Sequence, residues 1–473
     1  MSESQKWTIV IIMSHDTQTY FEYTDLEQSI IDQQSFNNRY VIFYYDQVNK
    51  SVIIKELFHM DNGGYAFRMT QPVKRDIDIF QTNEISKFLK EYVVAKDQNS
   101  NIRYMVMTWG HAAGLGFFRQ DQEEHFANDY LHGSEFDNLF GLKVNLQKKK
   151  YNRLLTKYTF LKTHLSFDGS DELFLEKTFK MPNKMLVEIL AKRIKIITAT
   201  ALNQIFVDGF GQGKMIDVLI TINCYTQMLE TGYELKDTVK LLVAPQASIP
   251  ISGINFRRLF DLIEKAPDTS LEFISKNITS GYWRKYNNKF FLRQFRKRYP
   301  EYLLDKVSIS CNLLGVYDQL MDLMNSVATE LLSYLNEIPN YEKKVLIRKA
   351  RENCEEMDER NETGIIDVIN FMTNLILHLN KNDKIKWKKY LHGIKKIRRL
   401  VCLSQLRAAT RFYKPSRRKT LSPYFISIFF PVGGREVERI LKEYYFCSTS
   451  FTRFQIKSKW DEFLIKYTKF KCA

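Results

Sequence analysis

Residues 217–230 read Asp-Val-Leu-Ile-Thr-Ile-Asn-Cys-Tyr-Thr-Gln-Met-Leu-Glu, and this stretch decides the fold that the sequence predicts. The run from Val218 to Ile222 is nearly all apolar and mostly β-branched, which is typical of a strand buried on both faces of a parallel sheet. A helical apolar pattern follows Cys224 toward Lys236. A thiol at that point lies at the carboxyl edge of the sheet, where α/β proteins hold their reactive groups. The alternative is a small buried cysteine that serves only packing.

A second strand-like run, Ile102 to Trp109, leads into Gly110-His111-Ala112-Ala113-Gly114. The glycines let the backbone turn sharply and leave the imidazole of His111 accessible, a setting that core histidines rarely need. If the two strands are neighbours, His111 and Cys224 form a pair in which the imidazole activates the thiol and loop amides bind an oxyanion. The pattern therefore predicts nucleophilic catalysis by a cysteine.

Several motifs, taken in their order along the chain, resemble the clostripain family (peptidase family C11) of cysteine peptidases, whose catalytic domain is caspase-like. The opening strand Trp7 to Met13, the turn Trp109-Gly110-His111 and the stretch Asp217 to Glu230 match motifs of that family. Further matches are Val243-Ala244-Pro245-Gln246, Ile249-Pro250 with Gly253, Phe425 to Pro431, and Trp460 to Leu464. The resemblance runs nearly end to end, and the order of the motifs makes it specific.

The resemblance implies a cysteine-type endopeptidase with a Cys/His dyad. Cys224 is then the nucleophile and His111 the general acid, while backbone amides at Gly110 and Ala112 bind the oxyanion. The implied substrate pocket includes Ile222, Asn223, Pro245 and Gln246. The alternative is a catalytically silent relative that uses the caspase-like fold as a scaffold for binding other proteins.

Two positions depart from the family pattern. Ala112 follows His111 where the family usually has Gly, but the backbone amide survives that change. Ile222 stands two residues before Cys224, where the family usually has an Asp that binds a basic substrate side chain. Burying an unpaired cation against an apolar floor is costly. We therefore expect an uncharged rather than a basic substrate residue at P1, the position before the scissile bond.

The composition is that of a large folded protein, since 44% of the 473 residues are hydrophobic and 14% are aromatic. The net charge of +16 allows an acidic partner. However, the basic residues between Lys381 and Arg399 alternate with apolar ones at helical spacing, so a solvated helix face explains them and we predict no nucleic-acid partner. No apolar run of 18 residues occurs and no signal-like segment precedes Trp7, so we expect a cytoplasmic protein without a membrane span.

Neither the cysteines nor the acidic residues indicate a metal site. The six cysteines are widely scattered without paired spacing, which argues against a disulfide framework and against zinc. Some clostripain relatives need calcium, so the resemblance leaves a calcium requirement open, although the acidic residues are too dispersed to mark a calcium loop. We therefore predict no metal and no cofactor.

The order of elements predicts an α/β protein with a doubly wound, mostly parallel sheet. Residues 1–118 and 199–258 are predicted to form the caspase-like catalytic domain, and residues 259–473 a mainly helical C-terminal domain with a late strand. Residues 119–198 are predicted to be an insertion with a regulatory role. We expect a regulated intracellular processing protease that cleaves selected protein partners, with self-cleavage or an activating partner protein as the trigger.

Overall fold

The computed structural model describes residues 6–15, 20–32, 37–47, 49–61, 64–80, 83–97, 101–110, 116–121, 194–298, 306–336, 341–354, 364–409, 426–431 and 452–468. His111, Ala112 and most of the predicted 119–198 insertion lie outside these residues.

The strands in this part of the chain are β1 (Trp7–His15), β2 (Arg39–Asp46), β3 (Ser51–His59), β4 (Tyr65–Met69), β5 (Arg103–Trp109), β6 (Gly116–Asp121), β7 (Ile194–Thr198), β8 (Ile216–Ile222), β9 (Val239–Ala244), β10 (Lys306–Leu313), β11 (Ile365–Asp367), β12 (Cys402–Ala409) and β13 (Ser427–Phe429). Nine of these described strands form one central sheet in the order β12-β10-β9-β8-β5-β1-β2-β3-β4. The five in the middle, from β9 to β2, run parallel, and antiparallel strands flank them on both sides. The predicted α/β class with a mostly parallel core is confirmed.

The helices in the same described ranges are α1 (Tyr20–Ile31), α2 (Glu84–Phe88), α3 (Ala199–Phe210), α4 (Leu229–Leu235), α5 (Phe256–Lys265), α6 (Leu271–Tyr286), α7 (Lys289–Arg298), α8 (Tyr317–Asn336), α9 (Tyr341–Glu352), α10 (Val368–His378), α11 (Lys381–Val401), α12 (Thr452–Lys457) and α13 (Trp460–Thr468). A π-helical turn, Leu89–Val93, and a 3-10 turn, Val94–Lys96, continue α2. None of the described helices is both long and apolar enough to cross a membrane.

Both faces of the central sheet are buried, which explains the unbroken apolar runs in its strands. In β1, Ile9 and Ile11 pack into one core cluster, together with α1, α5, α6 and α7. Val10 and Ile12 point to the opposite face and join a larger cluster under α2, α3 and α8 to α11. Each fully buried Ile or Leu contributes about 1.5–3 kcal/mol to the free energy of unfolding. The strand pattern therefore fixes the sheet in the middle of the molecule.

The central sheet extends beyond the predicted boundary at residue 258. Strands β10 and β12 pair antiparallel with each other, and β10 pairs with β9. In β10 the apolar residues Val307, Ile309 and Cys311 alternate with the buried polar residues Ser308 and Ser310. This period of two is the mark of a strand, although the flanking segments read as helices. The division of the chain into domains stays a prediction, and the sheet draws on both sides of that boundary.

The two ends of the predicted insertion lie side by side. Strand β6 pairs antiparallel with β7, with Gly116 opposite Thr198 and Asp121 opposite Ile194. The described chain therefore breaks off at Asp121 and resumes at Ile194, its pairing partner, shortly after β5.

Candidate active site

Strands β5 and β8 are parallel neighbours that end at the same level, as the sequence predicts. Trp109 lies opposite Ile222, and the Gly110 amide donates a 3.3 Å hydrogen bond to the Ile222 carbonyl. Because the strands run in the same direction, Gly110 and Asn223 lie at the same edge of the sheet. His111 follows Gly110 and Cys224 follows Asn223 along the chain. The His111 ring lies outside the described residues, and so does Ala112.

The side chain of Asn223 ties the two strand ends together. Its Oδ1 accepts a 2.7 Å hydrogen bond from the Thr108 hydroxyl, and its Nδ2 donates a 2.8 Å bond to the Gly110 carbonyl. The residue is fully buried, so water does not compete for either bond. The predicted role of Asn223 in the substrate pocket stays a prediction, since both polar ends of its side chain are bonded within the protein.

A sharp turn follows Cys224. Tyr225 has a φ of +60°, a left-handed conformation that costs a non-glycine residue about 1–2 kcal/mol. Its amide donates to the Ala247 carbonyl at 3.1 Å, and its hydroxyl lies 2.6 Å from that of Ser248. These bonds hold the strained residue and direct the chain away from the sheet directly after the thiol. Strain of this kind is concentrated at functional sites.

Cys224 differs from the other described cysteines in its surroundings. It is partly exposed, and it packs against both core clusters at the edge of the sheet. Burial raises the pKa of the Cys311 thiol to about 12, and burial also raises the pKa of Cys402. The Cys354 thiol is buried and lies 3.2 Å from the Ala350 carbonyl. Raised pKa values keep a thiol protonated and unreactive, so Cys224 is the best placed nucleophile among these four.

Ile222, two residues before Cys224, presents an apolar side chain at the end of β8. The loop at Gly253 packs against it, because a Cβ at Gly253 would lie 3.2 Å from the Ile222 Cγ2. Helix α6 fixes this loop: the Tyr286 hydroxyl donates to the Gly253 carbonyl at 2.7 Å, and the Lys285 ammonium donates to the Ile254 carbonyl at 2.9 Å. The surroundings of Ile222 are therefore apolar and rigid.

One polar atom stands out in this apolar region. The hydroxyl of Tyr282, on α6, is buried and has no hydrogen-bond partner among the described residues. Burial raises the pKa of Tyr282 well above its ordinary value, and a negative charge on the nearby Cys224 adds to the shift. The hydroxyl is therefore a neutral donor close to the thiol. Sequence reasoning missed it, because Tyr282 and Tyr286 have the i, i+4 spacing of an ordinary core stripe.

Pro245 and Gln246 support the turn after Cys224. The Pro245 carbonyl accepts a 2.9 Å hydrogen bond from the Gln227 amide. Gln246 is buried, and its Nε2 has no partner within the described part of the chain. Their predicted contact with substrate stays a prediction.

Helix α4, which follows this turn, is buried on every side. Its two carboxylates receive hydrogen bonds from distant backbone amides: Glu230 accepts from Phe429 at 3.0 Å, and Glu234 accepts from Phe454 at 2.9 Å. Burial raises the pKa of Glu234, while these bonds oppose the shift. The Ser427 amide also donates to the Gln227 carbonyl at 3.0 Å. The C-terminal segments therefore bind and stabilise both α4 and the turn that follows Cys224.

Solved structures share this fold over nearly their whole length. An inactive zymogen C11 protease from Parabacteroides distasonis aligns over 96% of this chain and 99% of its own, with a TM-score of 0.54 and 11% identity. A secreted C11 cysteine protease from Bacteroides thetaiotaomicron, in complex with an irreversible peptide inhibitor, aligns over 97% and 100%, with a TM-score of 0.56 and 12% identity. The secreted protease from that organism named iotapain aligns over 98% and 100%, with a TM-score of 0.55 and 11% identity. Such low identity shows the fold alone, and it is the caspase-like C11 fold that the resemblance implies.

Sequence comparison supplies the family. A comparison with curated proteins finds no match. The model of the clostripain family, Peptidase_C11, matches residues 193–467, more than half of the chain, in a range that includes Cys224 and begins after His111. The protein therefore belongs to the clostripain family of cysteine peptidases, whose substrates are peptides.

Proposed function

We propose that the protein is a cysteine endopeptidase in which Cys224 is the nucleophile and His111 the general acid. The observation that carries the proposal is the common end of β5 and β8, where Gly110 and Ile222 are joined by a backbone hydrogen bond. His111 directly follows Gly110 and Cys224 directly follows Asn223 along the chain, so the common end of these two parallel strands supports the pairing of the imidazole with the thiol.

The chemistry follows from the residue types. The Cys224 thiolate attacks the carbonyl carbon of the scissile peptide bond and forms a tetrahedral intermediate. Of the two predicted oxyanion amides, that of Gly110 already donates to the Ile222 carbonyl, so the Ala112 amide is the one that stabilises the oxyanion. The C–N bond then breaks as His111 protonates the leaving amine, and the acyl group stays on Cys224 as a thioester. Water then hydrolyses the thioester, which releases the acid product and restores the thiol. No metal or cofactor is required for these steps.

Labelling by a thiol-reactive peptide probe tests this assignment. We expect the probe to label the protein, and Cys224→Ala and His111→Ala each to lower turnover by orders of magnitude while the unfolding curve stays unchanged. Cys402→Ala is the matched control, because that thiol is also partly exposed but has a raised pKa. Full activity of His111→Ala would refute the dyad. A protein that no probe labels under any condition would instead be the catalytically silent scaffold.

We also propose that the enzyme prefers an uncharged residue at P1. Ile222 holds the position two residues before the nucleophile, and it packs among apolar side chains. The neighbouring loop, residues 245–255, contains no Asp or Glu that could neutralise a substrate cation. A Leu- or Met-sized side chain gains about 1.5–3 kcal/mol on burial there, whereas an unpaired guanidinium is penalised.

Matched peptide reporters that differ only at P1 test this preference. We expect Leu- and Met-ended reporters to be cleaved faster than Arg- and Lys-ended ones, and Ile222→Asp to shift activity toward Arg. Ile222→Asn is the control, since it adds polarity without charge. Efficient cleavage after Arg by the unaltered protein would show that Ile222 does not set specificity.

The 119–198 insertion supports a regulated processing role. Its two ends are joined in the β6–β7 pair, which follows shortly after β5, the strand that leads to His111. One structural relative, from Parabacteroides distasonis, is an inactive zymogen. We expect activity to rise after cleavage within the insertion or on binding of a partner protein. A protein that is fully active when intact, and unchanged by deletion of residues 125–190, would exclude this role. Cell fractionation would test the intracellular location.

A further inference from the structure

A basic cleft adjoins the candidate active site on the side of α6. It has a volume of about 920 Å³ and lies between α1 and the segment from Ser252 to Arg298. Trp109, the last residue of β5, is part of the cleft lining. The volume of the cleft is near the upper end of the range for ligand sites, roughly 300–1,000 Å³.

The charges on the cleft are predominantly positive. Five cationic side chains face two carboxylates, which leaves a net charge of +3; the cations are Arg257, Arg284, Lys285, Lys297 and Arg298, and the carboxylates are Asp25 and Asp32. Arg298 pairs with Asp25 at 2.9 Å, and Lys285 bonds to backbone carbonyls. Arg257, Arg284 and Lys297 are exposed and make no ion pair or hydrogen bond among the described residues.

The floor of the cleft is aromatic. Trp109 stacks on Phe256 with ring centroids 4.9 Å apart, and Phe291 and Phe295 line the same space. A purely electrostatic surface would not need these rings. The combination of unpaired cations with apolar rings suits a peptide that carries both acidic and apolar side chains.

The loop at Gly253 connects the cleft with Ile222. A Cβ at Gly253 would lie 3.2 Å from the Ile222 Cγ2 and 3.1 Å from the Phe256 ring, and Phe256 lines the cleft together with Ser252 and Ile254. The hydrogen bonds from α6 to this loop come from Lys285 and Tyr286, the two residues that follow Arg284. A chain bound at Cys224 therefore reaches the cleft by crossing one loop.

We infer that the basic cleft binds an acidic segment of the protein substrate, adjacent to the bond that Cys224 cleaves. This inference rests on the proposed function for its location but not for its chemistry. A nucleic acid is the alternative occupant, and the oligonucleotide competition described below separates it from the peptide. The cleft would thus add substrate selection that an apolar P1 pocket alone cannot supply.

Direct binding tests the inference without requiring catalysis. In the full-length Cys224→Ala protein, a fluorescent peptide with four Glu residues beside a Leu is expected to bind more tightly than its Gln counterpart, and less tightly as salt rises. The double variant Arg284→Glu/Lys297→Glu should raise the Kd of the Glu peptide about tenfold and leave that of the Gln peptide unchanged. Lys388→Glu/Lys395→Glu, on the exposed side of α11, is the matched control with the same change in net charge.

Equal binding of the Glu and Gln peptides, or an equal loss in the control variant, would overturn the inference. The inference would also be overturned if a single-stranded oligonucleotide or phosphatidylserine vesicles bound the cleft more tightly than the Glu peptide and displaced it, and if the Arg284→Glu/Lys297→Glu variant lost that binding. In the active enzyme, adding an acidic extension to a Leu-ended substrate should lower its KM in the unaltered protein but not in the Arg284→Glu/Lys297→Glu variant. Turnover of a short uncharged reporter should be the same in both proteins. If the protein binds the Glu peptide but cleaves no peptide, the proposed binding role of the cleft is supported and the proposed peptidase activity is refuted.

Discussion

Replacing Asn223 by Leu removes the buried link between the two strand ends while nearly conserving side-chain volume. The substitution leaves the Thr108 hydroxyl without its acceptor and the Gly110 carbonyl without its donor. Each unsatisfied buried group costs about 1–3 kcal/mol, so we expect the free energy of unfolding to fall by about 2–6 kcal/mol. Leu also fills the space that water would need to replace the lost partners.

A double-mutant cycle separates this link from general damage to the core. Thr108→Val alone leaves the Asn223 Oδ1 unsatisfied and should cost about 1–3 kcal/mol. Added to Asn223→Leu, it removes a hydroxyl that is already unpaired, so the double mutant should lose about 1–3 kcal/mol less than the sum. The matched control is Asn203→Leu, which breaks a similar buried bond to Thr238 at 2.9 Å and should be additive with Thr108→Val within about 0.5 kcal/mol.

Urea unfolding followed by fluorescence gives the four free energies of the cycle, and peptide turnover gives the functional effect. Since the Gly110 carbonyl belongs to the peptide unit that leads into His111, releasing it should lower kcat more than it raises KM. An additive cycle, or a loss below about 0.5 kcal/mol for Asn223→Leu, would refute the structural argument. Unchanged kcat in a destabilised Asn223→Leu protein would refute the positioning role.

Three further substitutions give outcomes of known sign. Tyr282→Phe should raise the free energy of unfolding by about 1–3 kcal/mol, because it removes a buried hydroxyl that has no hydrogen-bond partner among the described residues, yet lower turnover; loss of stability in urea would contradict this. Burial raises the pKa of Glu234 above its value in the unfolded chain, so the unaltered protein should lose stability as the pH rises through the folded-state pKa. Glu234→Gln should lack this loss, and thermal unfolding of both proteins between pH 4 and pH 8 would measure the difference. Gly232→Ala should destabilise strongly, since its Cβ would lie 2.2 Å from the Tyr317 ring, and Tyr317→Ala should restore part of the loss.

The parallel core of the fold was predictable from sequence because both of its faces are buried. The apolar runs of β1 and β8 cannot lie on a half-exposed sheet, and their burial leaves few alternatives. Strands β10 and β12 were not predicted. The polar residues of β10 are buried by contacts with distant parts of the chain, as when Ser308 accepts a hydrogen bond from the Ala247 amide at 3.1 Å, and such contacts have no local signature.

The candidate site was predictable where its chemistry is local and unpredictable where it depends on tertiary contacts. A cysteine and a histidine at the ends of apolar strands are visible in the sequence, together with the glycine before the histidine. The unpaired hydroxyl of Tyr282 is not, because its role depends on which residues fail to reach it. The same holds for Asn223, whose bond to Gly110 spans 113 positions.

The buried carboxylates of α4 have a consequence for the timing of synthesis. Glu230 and Glu234 accept hydrogen bonds from the amides of Phe429 and Phe454, which are translated 199 and 220 residues later. Until those residues leave the ribosome, the burial of α4 lacks both bonds and is less favourable. The helix behind Cys224 therefore reaches its final packing late in synthesis. A message truncated before Phe429 should yield a chain in which α4 and the turn after Cys224 are less stable.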